Sequence, residues 1–255
     1  MPQELRIFFT ALMFYTRIPC PGNIDHSPDY INKATRYFPL IGWIVGGISF
    51  VVFVAANALL PTVIAVIFSL IAGVLTTGAF HEDGLADVFD GFGGGWTKAK
   101  ILEIMKDSRV GAYGVIALIG SFALKFVALF TLVQGRSQQD ILLFFVTYHA
   151  LARLTAINIV FTEQYSREDE TSKAKPIAKA HTYKEIVGAY FFGLLPLAFL
   201  CYYHITLAFV LLPLVALYLY SKNYFNKWID GYTGDCLGAV EQVAEVVAIL
   251  SFLSL

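Results

Sequence analysis

The feature that most constrains this fold is a series of long apolar segments, each near the length that a helix needs to cross a bilayer. A span takes about 20 mostly apolar residues, and seven segments meet this requirement, some narrowly: 38–60, 62–80, 110–133, 141–161, 186–203, 205–221 and 237–255. The chain is 57% hydrophobic and 15% charged, whereas a soluble domain is about half apolar and about a quarter charged. We therefore predict an all-α fold: a polytopic transmembrane helix bundle that forms a single integral membrane domain over residues 1–255.

The distribution of basic residues predicts an orientation. The loops before the first span and after the second, fourth and sixth spans hold nearly all lysines and arginines outside the spans, and the opposite loops hold only Arg136. The positive-inside rule makes the basic side cytoplasmic. The N-terminus is then cytoplasmic and the C-terminus lies outside. Residues 1–37 form a cytoplasmic or interfacial segment, in which the run from Ile7 to Tyr15 is too short to span and suits an interfacial helix.

Charge and cysteine content exclude some classes of function. The net charge of −1 gives no indication of nucleic-acid binding. Cys20, Cys201 and Cys236 are far apart and form no CxxC motif, so we expect free thiols without a disulfide or a zinc site.

An acidic cluster follows the second apolar segment directly. Residues 80–91 read FHEDGLADVFDG, and we take them as the end of the second spanning helix. At helical spacing Asp83, Asp87 and Asp90 fall within roughly 60° of one another, and Glu82 lies within about 140° of that face. Because hard cations take carboxylate oxygens, we predict Mg²⁺, or Mn²⁺ as a substitute, held by Glu82, Asp83, Asp87 and Asp90. The alternative is a solvated acidic helix end, and His81 is more readily a hydrogen-bonded partner than a ligand.

Two further motifs lie on the predicted cytoplasmic side. Residues 106–114 (KDSRVGAYG) open the third span, and Lys106, Arg109 and the free N–H groups of a helix start suit phosphate. The alternative for these two residues is a basic membrane anchor. Asp235, at the start of the seventh span, is predicted to cap that helix, to join the metal site or to bind a ribose hydroxyl.

Ionisable residues within the spans are rare and usually face a protein interior. For Arg153 we predict either phosphate binding or an ion pair with Glu241 or Glu245. Lys125 is expected to snorkel toward the outer interface. In the polar loop 163–184, Lys173 and Lys175 are candidates to close over an anionic substrate, unless this is an ordinary basic inner loop.

Three separated motifs resemble one family. The chain resembles the membrane-bound cobalamin (5′-phosphate) synthases, also called adenosylcobinamide-GDP ribazoletransferases. The resemblance is carried by residues 81–91, 106–114 and 233–239 (TGDCLGA), together with segments 16–19 and 36–42. The resemblance runs over nearly the whole chain. It implies that the hydroxyl of α-ribazole, or of its 5′-phosphate, attacks the phosphorus attached to cobinamide in a Mg²⁺-dependent reaction. GMP leaves, and adenosylcobalamin or its 5′-phosphate is the product.

Carried onto this chain, the resemblance implies a site at the cytoplasmic face of a bacterial inner membrane. The acidic motif would hold the metal, with Asp90 or Asp87 as the proton acceptor. The substrate-binding residues would be Lys106, Arg109, Arg153, Asp235 and Lys173. The expected partners are adenosylcobinamide-GDP, α-ribazole or its phosphate, and the lipid bilayer, and the sequence is compatible with a homo-oligomer. Two rivals stay open: a lipid enzyme like the CDP-alcohol phosphotransferases, whose acidic motif is more distantly similar, and a membrane transporter.

Overall fold

The computed structural model describes residues 1–22, 24, 27–166 and 181–255. Its helices are α1 (Gln3–Tyr15), α2 (Pro28–Ala34), α3 (Phe38–Asn57), α4 (Thr62–Thr77), α5 (Phe80–Gly94), α6 (Lys98–Ile104), α7 (Ala112–Leu132), α8 (Gln138–Thr162), α9 (Tyr183–Tyr203), α10 (Leu211–Ile229) and α11 (Gly234–Ser254). Short 3₁₀ turns precede α3 and α10. No strand occurs in these described ranges, and the all-helical prediction is confirmed.

The number of spans agrees with the hydropathy of the sequence. Within the described residues, six helices are long and apolar enough to cross a membrane, or seven if the bent pair α4 and α5 counts as one span. The central elements are α8 and α11, whose most apolar windows are 83% and 67% buried inside the bundle. The last span carries Glu241, Gln242 and Glu245, and it is a full helix that buries all three.

One prediction about the second span is wrong. The sequence predicts residues 80–91 as its end, but α4 stops at Thr77 and α5 leaves it at an angle of 89°. The cause is local, because Gly78 and Ala79 both adopt left-handed backbone conformations, with φ of 69° and 58°. A right-handed helix cannot continue through two such residues. The acidic motif thus lies on a separate helix that runs across the bundle.

Contacts gather the polar motifs at one end of the bundle. The carboxylate of Asp90 on α5 meets the start of α7, and Lys98 pairs with Asp230, just before α11. Lys222 near the end of α10 pairs with Glu163 at the end of α8. The connections α3–α4, α7–α8 and α9–α10 consequently lie at the opposite end. This arrangement matches the alternation that the basic loops predicted.

Close backbone contact fixes the crossing of α5 and α11. A Cβ on Gly84 would lie 2.8 Å from the carbonyl oxygen of Asp235, and one on Gly238 would lie 3.0 Å from that of His81. A side chain at Gly84 would force the two backbones apart, and one at Gly238 would be in tight contact with its neighbour. The acidic helix is therefore held directly against the first two turns of α11.

Candidate active site

The acidic residues of α5 do not share one environment. Asp83 is exposed and Asp87 is half-buried, and their i, i+4 spacing puts them on the same side of the helix. Glu82 is 8% exposed and lines an interior cavity instead. The structure therefore separates Glu82 from Asp83 and does not bring together the four-residue set predicted from the sequence.

Asp90 is engaged with the start of α7. Its Oδ2 accepts a hydrogen bond from the backbone N–H of Gly111 at 2.6 Å, and its Oδ1 accepts one from the N–H of Gly114 at 2.9 Å. These are N–H groups of the kind that a helix start leaves without intrahelical partners. We predicted that this helix start would present free N–H groups to phosphate, but an internal carboxylate already occupies two of them.

The basic residues of the 106–114 segment are exposed at the same end. Nη2 of Arg109 lies 2.6 Å from Oδ2 of Asp107, and the arginine side chain is 88% exposed. The Arg109 guanidinium, through hydrogen bonds and charge, lowers the pKa of Asp107 to about 2. The pair is therefore ionised at any physiological pH, so Arg109 must exchange or share this partner to bind a phosphate.

Asp235 lies at the second position of α11, next to the acidic helix. Thr233, not Asp235, caps α11, because its Oγ1 accepts the N–H of Cys236 at 3.3 Å. The half-buried Asp235 receives a hydrogen bond from the same hydroxyl at 3.3 Å. The backbone of Asp235 touches Gly84, which is the neighbour of Asp83. Asp235 therefore stays a candidate to act together with Asp83 and Asp87, whose side of the helix we call the α5 face. Lys173 and Lys175 lie outside the described residues.

A second polar cluster fills the interior of the bundle. Nη1 of Arg153 lies 2.8 Å from Oε1 of Glu241, and Nζ of Lys125 donates to Oε2 of Glu245 at 2.6 Å. His149 Nδ1 is 2.5 Å from the other oxygen of Glu245. Of the two interpretations of Arg153, the structure shows the ion pair. Lys125 does not snorkel, because it is 3% exposed and satisfied internally.

A small cavity lies within this cluster, lined by Arg153, Lys125, His149 and Glu245 together with His81 and Glu82. Its volume is about 20 Å³, which is room for about one water molecule. His149, Glu241 and Glu245 lie close enough to share a metal ion, but Lys125 and Arg153 already neutralise both carboxylates. We assign no metal here. The i, i+4 spacings of His149 with Arg153 and of Glu241 with Glu245 are the sequence signal that could have revealed this cluster.

The donor chemistry of the α5 face fits a hard divalent cation. Asp83 and Asp87 offer carboxylate oxygens on adjacent turns, and the backbone of Asp235 on α11 touches α5 at Gly84. Mg²⁺ is commonly held by one or two carboxylates together with substrate phosphates and water. Asp83, which is exposed, and the half-buried Asp87 on the same side of α5 can meet that requirement, whereas the carboxylates of the interior cluster are neutralised by Lys125 and Arg153.

Fold and site together define a class: a multi-pass helical membrane protein in which the acidic helix α5 crosses one end of the bundle. The sequence profile of the family described as cobalamin-5-phosphate synthase matches residues 7–253, and the chain belongs to that family.

Named relatives agree with this family. The chain is 43% identical over 252 residues to the adenosylcobinamide-GDP ribazoletransferase of Shewanella frigidimarina, covering 99% of this chain and 95% of the relative. It is 41% identical over 259 residues to the enzyme of the same name from Shewanella woodyi, covering 98% and 96%. No solved structure is significantly similar. The resemblance inferred from the three motifs is confirmed.

Proposed function

We propose that this chain joins adenosylcobinamide-GDP to α-ribazole or α-ribazole 5′-phosphate. The name adenosylcobinamide-GDP ribazoletransferase, which its relatives carry, supports this proposal. The carrying observation is full-length similarity to these transferases in a chain whose acidic helix lies at the polar end of the bundle. In the reaction, a ribazole hydroxyl forms a new O–P bond at the phosphorus attached to cobinamide. The bond to the bridging oxygen breaks, and GMP leaves with that oxygen.

We propose separate roles in metal binding, proton transfer and substrate contact for the residues on and around the α5 face. Asp83 and Asp87 would hold Mg²⁺, which when bound supplies charge neutralisation for the diphosphate and the departing GMP. We also propose that Asp87 accepts the ribazole hydroxyl proton, on the carboxylate oxygen that does not hold the metal. Asp90 has both oxygens engaged, so its proposed role is to fix the start of α7 rather than to accept a proton. Lys106, Arg109 and Asp235 border the face as substrate contacts.

We further propose that this end of the bundle faces the cytoplasm from a bacterial inner membrane. The positive-inside pattern supports that orientation, and a cytoplasmic site suits a nucleotide-bearing donor. A lipid enzyme of the CDP-alcohol type is a weaker proposal, because the names of the matched relatives specify a cobinamide donor.

A transporter is the other alternative, and the interior ion pairs are the observation that favours it. Uptake of a corrinoid by proteoliposomes without formation of a joined product would support the transporter and contradict the transferase.

The test compares substitutions in α5 with a matched acid elsewhere. Purified protein receives adenosylcobinamide-GDP, α-ribazole and Mg²⁺, and the corrinoid product is measured. Asp83→Asn and Asp87→Asn should each lower kcat by on the order of 100-fold or more, because each removes a charge that faces the reacting phosphates. Asp140→Asn is the control, since Asp140 bonds Ser137 at the far end of the bundle. Near-normal turnover in both α5 variants would refute the site.

A further inference from the structure

We propose that Arg17 is a substrate-binding residue that contacts a phosphate of the GDP group of the donor. This inference rests on the proposed function and adds Arg17 to the residues proposed above to bind substrate. Arg17 follows α1, in the 16–19 segment that contributes to the family resemblance.

The backbone of Arg17 is attached at the bend that leads into α5. Its N–H donates to the carbonyl oxygen of Thr76 at 2.8 Å, in the last turn of α4. Its side chain lies across Gly78, where a Cβ would overlap the Arg17 Nε. The guanidinium is therefore held next to the residues at which the chain turns by 89°.

The end of α1 reaches the acidic face itself. The rings of Phe14 and Phe80 meet edge to face with centroids 5.9 Å apart. Phe80, Asp83 and Asp87 follow the i, i+3, i+7 spacing of one helix side, and Phe80 is 44% exposed. Arg17 thus lies near the first turn of this face, and the start of α7 lies near its other end, at Asp90.

The negative charge of the donor diphosphate and of the two aspartates favours cations beside this face. A diphosphate diester has two negative charges, and Asp83 and Asp87 add two more. One divalent ion balances only half of that charge, so a further cation in contact with the phosphates would stabilise the bound donor. Guanidinium is well suited because it presents two parallel donors to two phosphate oxygens.

Arg17 is available for this contact, unlike several other arginines. In the described part of the chain, Arg36 pairs with Glu185, Arg109 with Asp107 and Arg153 with Glu241. Arg17 is exposed, and within the same described residues no carboxylate pairs with it. Its position at the bend gives it a place next to the acids without neutralising them.

The experiment measures KM for each substrate in the full-length enzyme. Arg17→Ala should raise KM for adenosylcobinamide-GDP by on the order of 10- to 100-fold, the range for one lost charge-assisted contact. KM for α-ribazole should stay within about twofold, because the acceptor does not bear the GDP group. Arg17→Gln should show the same selective rise, and it decides the matter if the alanine variant does not accumulate. Arg6→Ala is the matched control for an exposed N-terminal arginine and should change neither constant.

A second measurement does not depend on turnover. Calorimetric titration with GDP in the presence of Mg²⁺ should give weaker binding in the Arg17 variants by a similar factor, with unchanged binding in Arg6→Ala. Unchanged donor KM and unchanged GDP binding in Arg17→Gln would overturn the inference. Failure of the proposed function is separate, because it would appear as an inactive wild-type enzyme or as active Asp83 and Asp87 variants.

Discussion

Carboxylates only a few residues apart on α5 meet three different surroundings. Asp83 faces solvent, Glu82 faces the interior cavity, and Asp90 binds the backbone at the start of α7. Their helical angles follow from the sequence, so the shared side of Asp83 and Asp87 was predictable. Their partners were not, because Gly111 and Gly114 belong to another helix whose approach depends on tertiary packing.

The contact between Asp90 and the start of α7 should make the protein sensitive to substitution of Gly114. A Cβ at Gly114 would overlap the Asp90 carboxylate, so Gly114→Ala should force these groups apart and destabilise the protein by about 1–3 kcal/mol. The measurement is thermal unfolding in detergent, together with turnover, which should fall as α5 shifts. Gly120→Ala, on the same helix with open space around it, should unfold at or above the wild-type temperature. Equal behaviour of the two variants would contradict the packing described here.

At the element scale, the interior ion pairs connect α11 to α7 and α8. Hydropathy could place these helices but could not decide where long side chains end, since a lysine within a span can either snorkel or pair. The bend between α4 and α5 was missed for a related reason. Gly78 is the kind of residue at which helices end, but the bend also requires a left-handed alanine at position 79, a conformation that alanine rarely adopts and that the sequence does not indicate.

The ion pair of Arg153 with Glu241 is testable by paired substitution. Arg153→Met leaves Glu241 buried and unpaired, which should cost about 3–5 kcal/mol of stability. The double variant Arg153→Met with Glu241→Gln removes both charges and should recover most of that loss. Unfolding in detergent is the readout, with Arg6→Met as an exposed control. A double variant as unstable as the single one would show that the pair is not what stabilises this contact.

In the proposed orientation of the whole molecule, the acidic helix and the basic loops share the cytoplasmic side. Single cysteines in a background without Cys20, Cys201 and Cys236 test this directly. Ser108→Cys, in the exposed segment before α7, should react with an impermeant maleimide only in inside-out vesicles. Arg136→Cys, at the opposite end, should react only in right-side-out vesicles. The reverse pattern would place the acidic face outside.

Whether Asp83 and Asp87 hold the metal ion can be measured as divalent-ion binding by the α5 face. Mn²⁺ can be titrated into purified protein with GDP present, and the bound fraction followed by electron paramagnetic resonance. We predict that the wild type binds Mn²⁺ and that the Asp83→Asn/Asp87→Asn double variant loses this binding, while Asp140→Asn retains it. Absence of binding in the wild type, or undiminished binding in the double variant, would contradict the assignment of these two carboxylates to the metal.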